Sequence, residues 1–125
     1  MTDTASPCPF CGGKEVILQN ALAYACHDKY PVTRGHMLII PFRHVADYFA
    51  TTVEEKRALF ELLDRAKTLI DEQFAPAGYN VGINIGATAG QTVMHVHVHL
   101  IPRYPGDVIR PRGGVRGVIP DKQSY

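Results

Sequence analysis

The 125-residue sequence lacks the features that mark membrane proteins and general nucleic-acid binders. No apolar run approaches the roughly 20 residues that a transmembrane helix needs, and the first residues lack the basic and apolar regions of a signal peptide. The net charge is only +1, whereas binders of nucleic acid or anionic membranes usually carry a strong basic excess. We therefore expect a cytoplasmic protein without nucleic-acid or membrane partners.

Cysteine is scarce as well, with three residues in the chain. Two of them, Cys8 and Cys11, are separated by only two residues. In a reducing compartment this spacing favours a metal-binding knuckle or a redox pair over a structural disulfide. The glycines that follow Cys11 give the backbone freedom to bring two thiolates together. We expect Cys26, which stands apart, to be a small core residue.

The length allows one compact domain over residues 1–125, with a cysteine knuckle at 1–13 and an irregular basic tail at 106–125. The tail is rich in proline, glycine and arginine and is expected to lie across another surface, since it is too irregular to form a core. Hydrophobic patterning predicts four strands before the histidine-rich region, at 16–19, 22–27, 36–41 and 79–85. The continuous apolar run at 36–41 favours a central, buried strand.

One long helix is predicted between these strands, and residues 44–49 favour a short helical turn before it. Thr52 and Glu55 form a capping box at its start. Pro76 and Gly78 end it. Its apolar stripe follows helical spacing: Leu59, Leu63, Ala66, Ile70 and Phe74. One helix packed on an antiparallel sheet of about five strands is an α+β fold.

Histidine is concentrated in residues 90–103, which read Gly-Gln-Thr-Val-Met-His-Val-His-Val-His-Leu-Ile-Pro-Arg. Three of the six histidines, His95, His97 and His99, alternate here with apolar residues. A period of two predicts a strand that presents the three imidazoles on one face. Burying three imidazoles without partners is costly, so this pattern favours a functional site over ordinary core histidines.

Two chemistries fit such a face, and the spacing does not choose between them. Alternate residues of a strand lie roughly 6.5–7 Å apart, which allows two histidines to converge on a catalytic metal. The same spacing allows one nucleophilic histidine to be flanked by neighbours that bind an anionic substrate.

The stretch resembles the signature of the histidine triad (HIT) family, His-x-His-x-His followed by two apolar residues. The Gly-Gln-Thr before it and the Pro-Arg after it are most similar to the branch that hydrolyses dinucleoside polyphosphates. The resemblance extends from Cys8 to about Asp107 and includes Asp28, residues 35–41 and Asn84. It implies a HIT-like fold, a small-molecule nucleotide substrate and a homodimer.

The resemblance also assigns roles to the histidines. His97 would attack the α-phosphate and form a nucleotidyl-histidine intermediate, while its other nitrogen is held by a backbone carbonyl near His95. Neutral imidazole is nucleophilic near pH 7, so this role is chemically reasonable. His36 and His99 would contact phosphate oxygens or orient the nucleophile. His36 as an ordinary surface histidine is the alternative.

The remaining contacts implied by the family would hold the phosphates, the ribose and the base. The donors to phosphoryl and leaving-group oxygens would be Gln91, Thr92 and Asn84. Asp28 would accept the ribose hydroxyls, and Phe10 and Leu38 would line an apolar slot for the base. The alternatives are a strand-end role for Asn84, a turn role for Asp28, and core packing for Phe10 and Leu38.

Some family members complete the cysteine knuckle with two histidines, here His44 and His95. With Cys8 and Cys11 they would form a closed four-ligand shell suited to structural zinc. Two reduced, buried thiols are the alternative.

The function implied is cleavage of a dinucleoside polyphosphate at the α-phosphate, with no metal needed for the chemical step. The alternatives are a nucleoside phosphoramidate hydrolase, a non-enzymatic nucleotide-binding module and a metalloenzyme that uses the three triad histidines as ligands.

Overall fold

The structure, a computed structural model, describes residues 8–12 and 15–125. Residues 1–7 and Gly13 of the predicted cysteine knuckle lie outside the described residues. The described chain forms one α-helix, α1 (Val53–Phe74), and five strands. The strands are β1 (Leu18–Gln19), β2 (Ala23–His27), β3 (Met37–Pro41), β4 (Gly78–Gly82) and β5 (Val98–Arg103). They form one antiparallel sheet in the order β1-β2-β3-β5-β4, which confirms the α+β prediction. No helix in this part of the chain is long and apolar enough to cross a bilayer.

The central strand, β3, is buried at all five positions because both faces of the sheet are covered. Met37 and Ile39 pack with α1 in the main core. Leu38 and Ile40 point to the other face, since side chains alternate along a strand, and lie in a second apolar cluster there. This double coverage explains the uninterrupted apolar run and confirms the predicted central strand.

α1 begins at the predicted capping box. Thr52 Oγ1 accepts a hydrogen bond from the Glu55 amide at 3.0 Å, and Glu55 Oε1 accepts one from the Thr52 amide at 2.8 Å. The buried stripe differs from the prediction at one position, because Leu62 is fully buried and Leu63 only partly. Both choices fit a period of 3.6 residues, so the sequence alone does not distinguish them.

The end of α1 contacts the loop that leads into β3. The helix ends at Phe74, and Ala75 caps it in the left-handed region with φ 49°. The ring of Phe74 packs against Gly35, where φ is 88° and a Cβ would lie 2.9 Å from the ring. Glycine is therefore required at this position, directly before the buried His36.

The histidine strand is shorter than predicted, because β5 starts only at Val98 and His95 and His97 precede it. Here the Val96 amide donates at 2.8 Å to the carbonyl of Val45, in the loop after β3, and not to a neighbouring strand. The strand predicted at 79–85 is likewise limited to β4, and that at 16–19 to the two residues of β1. The irregular segment before β5 thus replaces the predicted ladder.

The tail at 106–125 is not wholly irregular, since Gly114–Val118 and Pro120–Lys122 form short 3-10 helices. The short helical turn predicted at 44–49 is a 3-10 helix at Tyr48–Ala50, so it lies at the end of the predicted range. A Cβ at Gly114 would lie 3.3 Å from the Asn80 side chain on β4, so the tail lies across the edge of the sheet. This placement agrees with the expectation that the tail has no core of its own.

We predict that Glu55→Gln lowers the free energy of unfolding by about 1–2 kcal/mol at neutral pH. Glu55 is buried and accepts from Arg43 Nε at 2.9 Å and Nη2 at 2.7 Å, and these bonds lower its pKa to about 2. Because this pKa is below the ordinary 4.5, the stabilisation is present above pH 4.5 and is lost as the pH falls towards 2. Urea unfolding should show the difference from wild type narrowing over that range. The exposed neighbour provides the control: an equal loss in Glu54→Gln would contradict the assignment.

Candidate active site

The histidines lie on the face of the sheet opposite α1. His99 on β5 pairs in register with Leu38 on β3, whose side chain belongs to the apolar cluster on that face. The ring of His97 lies 5.0 Å from the ring of His99, centroid to centroid. His99 also pairs with Gly82 at the end of β4. Asn84 lies two residues after the end of β4 and is partly buried.

One hydrogen bond sets the protonation of the His97 ring. Nδ1 of His97 lies 2.9 Å from the carbonyl oxygen of His95. A carbonyl oxygen can only accept, so Nδ1 carries the proton and donates it. In the neutral ring the lone pair is therefore on Nε2. His97 is partly exposed, so this unprotonated nitrogen belongs to a side chain that solvent and ligands can reach.

A series of hydrogen bonds fixes which ring nitrogens of His36 and His99 carry protons. The Val32 amide donates to His36 Nδ1 at 3.0 Å, so the His36 proton is on Nε2. Nε2 lies 3.0 Å from His99 Nδ1 and donates to it, which leaves the His99 proton on Nε2. Burial, and then the neighbouring imidazoles, lower the pKa of His99 to about 4. Burial also lowers the pKa of His36, against the opposing effect of Asp28. Both rings are neutral at pH 7.

Asp28 combines a turn role with a place in the site. Its Oδ1 accepts from the Tyr30 amide at 2.9 Å, and its Oδ2 lies 3.4 Å from His36 Nε2 and 4.0 Å from His99 Nδ1. These three side chains are close enough to share a metal ion. However, the amide of Val32 faces His36 Nδ1, so Nε2 must keep its proton and is not a ligand. We interpret the group as a proton-ordered histidine pair beside a carboxylate.

Gln91, which was expected to donate to phosphoryl and leaving-group oxygens, is held by hydrogen bonds within the protein. Its Oε1 accepts from the Gly86 amide at 2.8 Å, and its Nε2 donates to the carbonyls of Ala46 at 2.8 Å and Val93 at 3.2 Å. The side chain is 4% exposed. Gln91 therefore fixes the glycine loop, and a contact to phosphate requires it to exchange one of these bonds.

Two other predicted donors are available to a ligand. Thr92 is exposed and Asn84 is partly buried. Neither side chain has a hydrogen-bond partner within the described part of the chain. Contact with a phosphate stays a prediction for both.

Cys8, Cys11, His44 and His95 converge as predicted, with one ligand atom from each within 4.8 Å of the others. Nδ1 of His95 lies 3.4 Å from Cys8 Sγ and 3.6 Å from Cys11 Sγ, and Nδ1 of His44 lies 3.1 Å from Cys11 Sγ. Tetrahedral zinc separates its sulfur and nitrogen ligands by roughly 3.5 Å. His95 Nε2 lies 2.7 Å from the carbonyl of Pro41 and donates to it, so Nδ1 is free to ligate. These residues fit a Cys₂His₂ metal centre.

Two side chains that the sequence did not single out hold this group in place. Arg43 forms a bidentate ion pair with Glu55 and so attaches the loop that carries His44 to the start of α1. The hydroxyl of Tyr24, on β2, donates to the carbonyl of Phe10 at 2.6 Å in the interior. The adjacency of Arg43 to His44 was the only available signal, and a tyrosine on a strand gives none.

The two residues predicted to line the base slot are deeply placed. Phe10 is 6% exposed and Leu38 is 3% exposed, in one cluster with Tyr24, Cys26 and Ile40. Cys26 is buried, in agreement with its predicted core role. As placed, Phe10 and Leu38 offer a base only the edge of an apolar cluster.

Comparisons with known proteins identify curated relatives of this chain. It is 38% identical over 95 residues to a Schizosaccharomyces pombe protein named bis(5'-nucleosyl)-tetraphosphatase [asymmetrical], covering 76% of this chain and 52% of the relative. It is 36% identical over 93 residues to a Mycobacterium tuberculosis protein named AP-4-A phosphorylase, covering 74% of this chain and 48% of the relative. The chain thus spans about half the length of these two relatives.

Solved structures agree with this fold. A HIT family protein from Bacillus anthracis matches with a TM-score of 0.76 and 36% identity, over 81% of this chain and 76% of that one. A Zn-bound histidine triad family protein from Mycobacterium smegmatis matches with a TM-score of 0.74 and 32% identity, over 83% and 80%. The profile of the HIT domain matches residues 13–106, directly after the two cysteines. This chain therefore belongs to the HIT domain family.

Proposed function

We propose that this protein cleaves a dinucleoside polyphosphate at its α-phosphate through a nucleotidyl-histidine intermediate on His97. The observation that supports this most directly is the bond from His97 Nδ1 to the His95 carbonyl, because it leaves the Nε2 lone pair unprotonated. Relatives named as hydrolases of nucleosyl and adenosyl polyphosphates support the substrate class.

The proposed reaction has two displacements at phosphorus. In the first, His97 Nε2 bonds to the α-phosphorus. The bond from that phosphorus to the bridging oxygen breaks, and the rest of the substrate leaves with the electron pair on this oxygen. In the second, water attacks the same phosphorus and gives up a proton, and the nitrogen–phosphorus bond breaks to return neutral His97. Nδ1 keeps its proton throughout, so the His95 carbonyl stabilises the positive charge that develops on the ring.

The surrounding side chains supply neutral hydrogen-bond donors for this phosphoryl transfer. His99 offers Nε2–H as its free donor, since His36 occupies its other nitrogen. Thr92 and Asn84 offer side chains that make no other hydrogen bond in the described residues. Phosphoryl transfer depends mainly on positioning and charge stabilisation, so we assign these groups to the phosphoryl and leaving-group oxygens. Gln91 acts mainly through the loop that it fixes.

The nucleoside would lie beside the histidine pair. Asp28 keeps Oδ2 outside its turn hydrogen bond, so this oxygen is the acceptor that we assign to a ribose hydroxyl. The base would contact the exposed edges of Phe10 and Leu38. Because the base slot has little open surface, we expect weak discrimination between bases.

The competing functions have less support. A metalloenzyme with His95, His97 and His99 as ligands is disfavoured, because the metal-ligand groups of the described residues do not include His97. In addition, Nδ1 of His97 is already bonded to a carbonyl. A nucleoside phosphoramidate would be attacked by the same nitrogen with an amine as leaving group, so only substrate tests separate it. A non-enzymatic binding module would bind nucleotides without turnover.

His97→Ala should abolish turnover, with kcat falling at least ~1000-fold, because no other side chain supplies the attacking nitrogen. Mass spectrometry under denaturing conditions, soon after mixing, should detect a nucleotidyl adduct on the wild type and none on the variant. The matched control is His27→Ala, which removes an exposed histidine at the end of β2 and should leave the rate unchanged. Full activity in His97→Ala would contradict the mechanism.

The substrate class is tested by comparing diadenosine tri- and tetraphosphates with adenosine phosphoramidates in the same assay. A higher kcat/KM for the dinucleotides supports the proposal, and a preference for phosphoramidates supports the alternative hydrolase. Tight nucleotide binding without an adduct or turnover would indicate the non-enzymatic module.

We also propose that the Cys₂His₂ group binds a structural zinc ion. The wild type should take up one Zn²⁺ per chain in competition with a chelator, and Cys11→Ser should weaken binding at least ~100-fold, because a thiolate ligand is lost. Cys26→Ala is the control and should bind as the wild type does, since Cys26 lies outside the ligand group. Failure of the wild type to bind micromolar Zn²⁺ would contradict this assignment.

We propose that residues 1–125 work as one domain in a cytoplasmic homodimer, without nucleic-acid or membrane partners. The tail contacts the edge strand β4 at Asn80 but leaves Val81 on the same strand 45% exposed, and this apolar side chain supports contact with a second copy. Reduced thiols at the metal centre fit a reducing compartment. Sedimentation equilibrium should give about twice the chain mass of 13.8 kDa, and a single-chain mass would contradict the dimer.

A further inference from the structure

Phe10 connects the cysteine knuckle to the proposed nucleophile. It stands between Cys8 and Cys11 in sequence, and its ring meets the His97 ring at a centroid distance of 5.0 Å and an interplanar angle of 68°. It also contacts the His95 ring edge-on at 6.0 Å. Such T-shaped arrangements are favourable between aromatic rings. One wall beside His97 is therefore built by a loop of four residues that ends in metal-ligand side chains on both sides.

His95 forms a second connection between the same two sites. Its ring offers Nδ1 to the cysteine sulfurs and donates Nε2–H to the Pro41 carbonyl, so the ring is fixed on both sides. Its own carbonyl oxygen accepts the Nδ1 proton of His97. The residue that holds the tautomer of the nucleophile is thus also a candidate metal ligand.

Several noncovalent contacts attach the knuckle to the fold. Among the described residues, the carbonyl of Phe10 is held by the Tyr24 hydroxyl, and the thiols meet the rings of His44 and His95. A bound metal would replace these thiol contacts with coordinate bonds and fix Cys8 and Cys11 firmly. Without it, the position of the Phe10 ring depends on noncovalent contacts, among them apolar packing, the Tyr24 hydrogen bond and the bond from its own amide to Cys8 Sγ at 3.4 Å.

We propose that the Cys8–Cys11–His44–His95 centre positions the nucleophile, and that Phe10 is the positioning residue that transmits this order to the His97 ring. The proposal rests on the proposed function only in taking His97 as the nucleophile. With the centre loaded, Phe10 and the His95 carbonyl confine His97 to one orientation and one tautomer. With the centre empty, the Phe10 ring is held less firmly, and the His97 ring takes up other orientations and the other tautomer.

The test combines a ring-deleting variant with metal removal from the wild type. Phe10→Leu keeps an apolar side chain but removes the aromatic contact, and Ile40→Val, which removes one methyl group and leaves the Phe10 ring in place, is the control within the same cluster. In zinc-loaded wild type, long-range ¹H–¹⁵N NMR should show His97 as a single Nδ1–H tautomer. Zinc-loaded Phe10→Leu, and wild type treated with a chelator, should show a mixture. Ile40→Val should match the wild type.

Kinetics give an independent measurement that distinguishes positioning from simple stability. Zinc-loaded Phe10→Leu should lose about 10- to 100-fold in kcat, more than any change in KM that follows from its edge contact with the base, because a misplaced nucleophile affects the chemical step. It should still bind Zn²⁺ as the wild type does. An unchanged kcat in this variant would overturn the role of Phe10.

The NMR measurement on the unmodified protein keeps the proposal testable even if Phe10→Leu does not fold. An unchanged His97 tautomer after zinc removal, in protein that circular dichroism shows to be folded, would overturn the coupling. This readout needs no substrate, so its failure is separate from failure of the proposed hydrolase function. That function fails on the absence of a His97 adduct, whatever the tautomer does.

Discussion

The hydrogen bond from His97 Nδ1 to the His95 carbonyl fixes which ring nitrogen carries the proton, and it depends on the local backbone. Inside a regular strand that carbonyl would accept from a backbone amide of the next strand. The segment before β5 leaves the sheet, and the Val96 amide bonds instead to Val45. The carbonyl of His95 is thereby free to hold a side chain. The departure from the predicted strand therefore leaves the His95 carbonyl to hold the His97 proton on Nδ1.

The two faces of the sheet contact different groups, and this arrangement supports the irregular segment before β5. One face packs on α1, with Met37, Ile39 and Val98 in the main core. The other face carries the histidines and the apolar cluster under the knuckle. A central strand buried on both sides gives the site a rigid floor. His36, directly before β3, and His99, on β5, owe their fixed geometry to this neighbourhood.

The sequence predicted those features that depend on local or periodic patterns. The capping box at Thr52, the buried run of β3 and the convergence of Cys8 and Cys11 with two distant histidines all agree with the structure. Features that depend on tertiary competition were missed. Leu62 and Leu63 fit the helical period equally well, and only packing on the sheet chooses between them. Likewise, Gln91 donates to the carbonyl of Ala46, which is 45 residues away in sequence and which no local pattern indicates.

Two groups with similar ligand chemistry acquire different roles from single backbone hydrogen bonds. His95 donates to the carbonyl of Pro41, so its other nitrogen is unprotonated and able to bind a metal. His36 instead accepts from the amide of Val32, so its other nitrogen must carry the proton and point it at His99. A backbone acceptor beside an imidazole thus prepares a ligand, whereas a backbone donor prepares a proton donor. Residue composition does not reveal this difference, since each group contains histidines and an anionic partner. The orientation of one peptide group decides it.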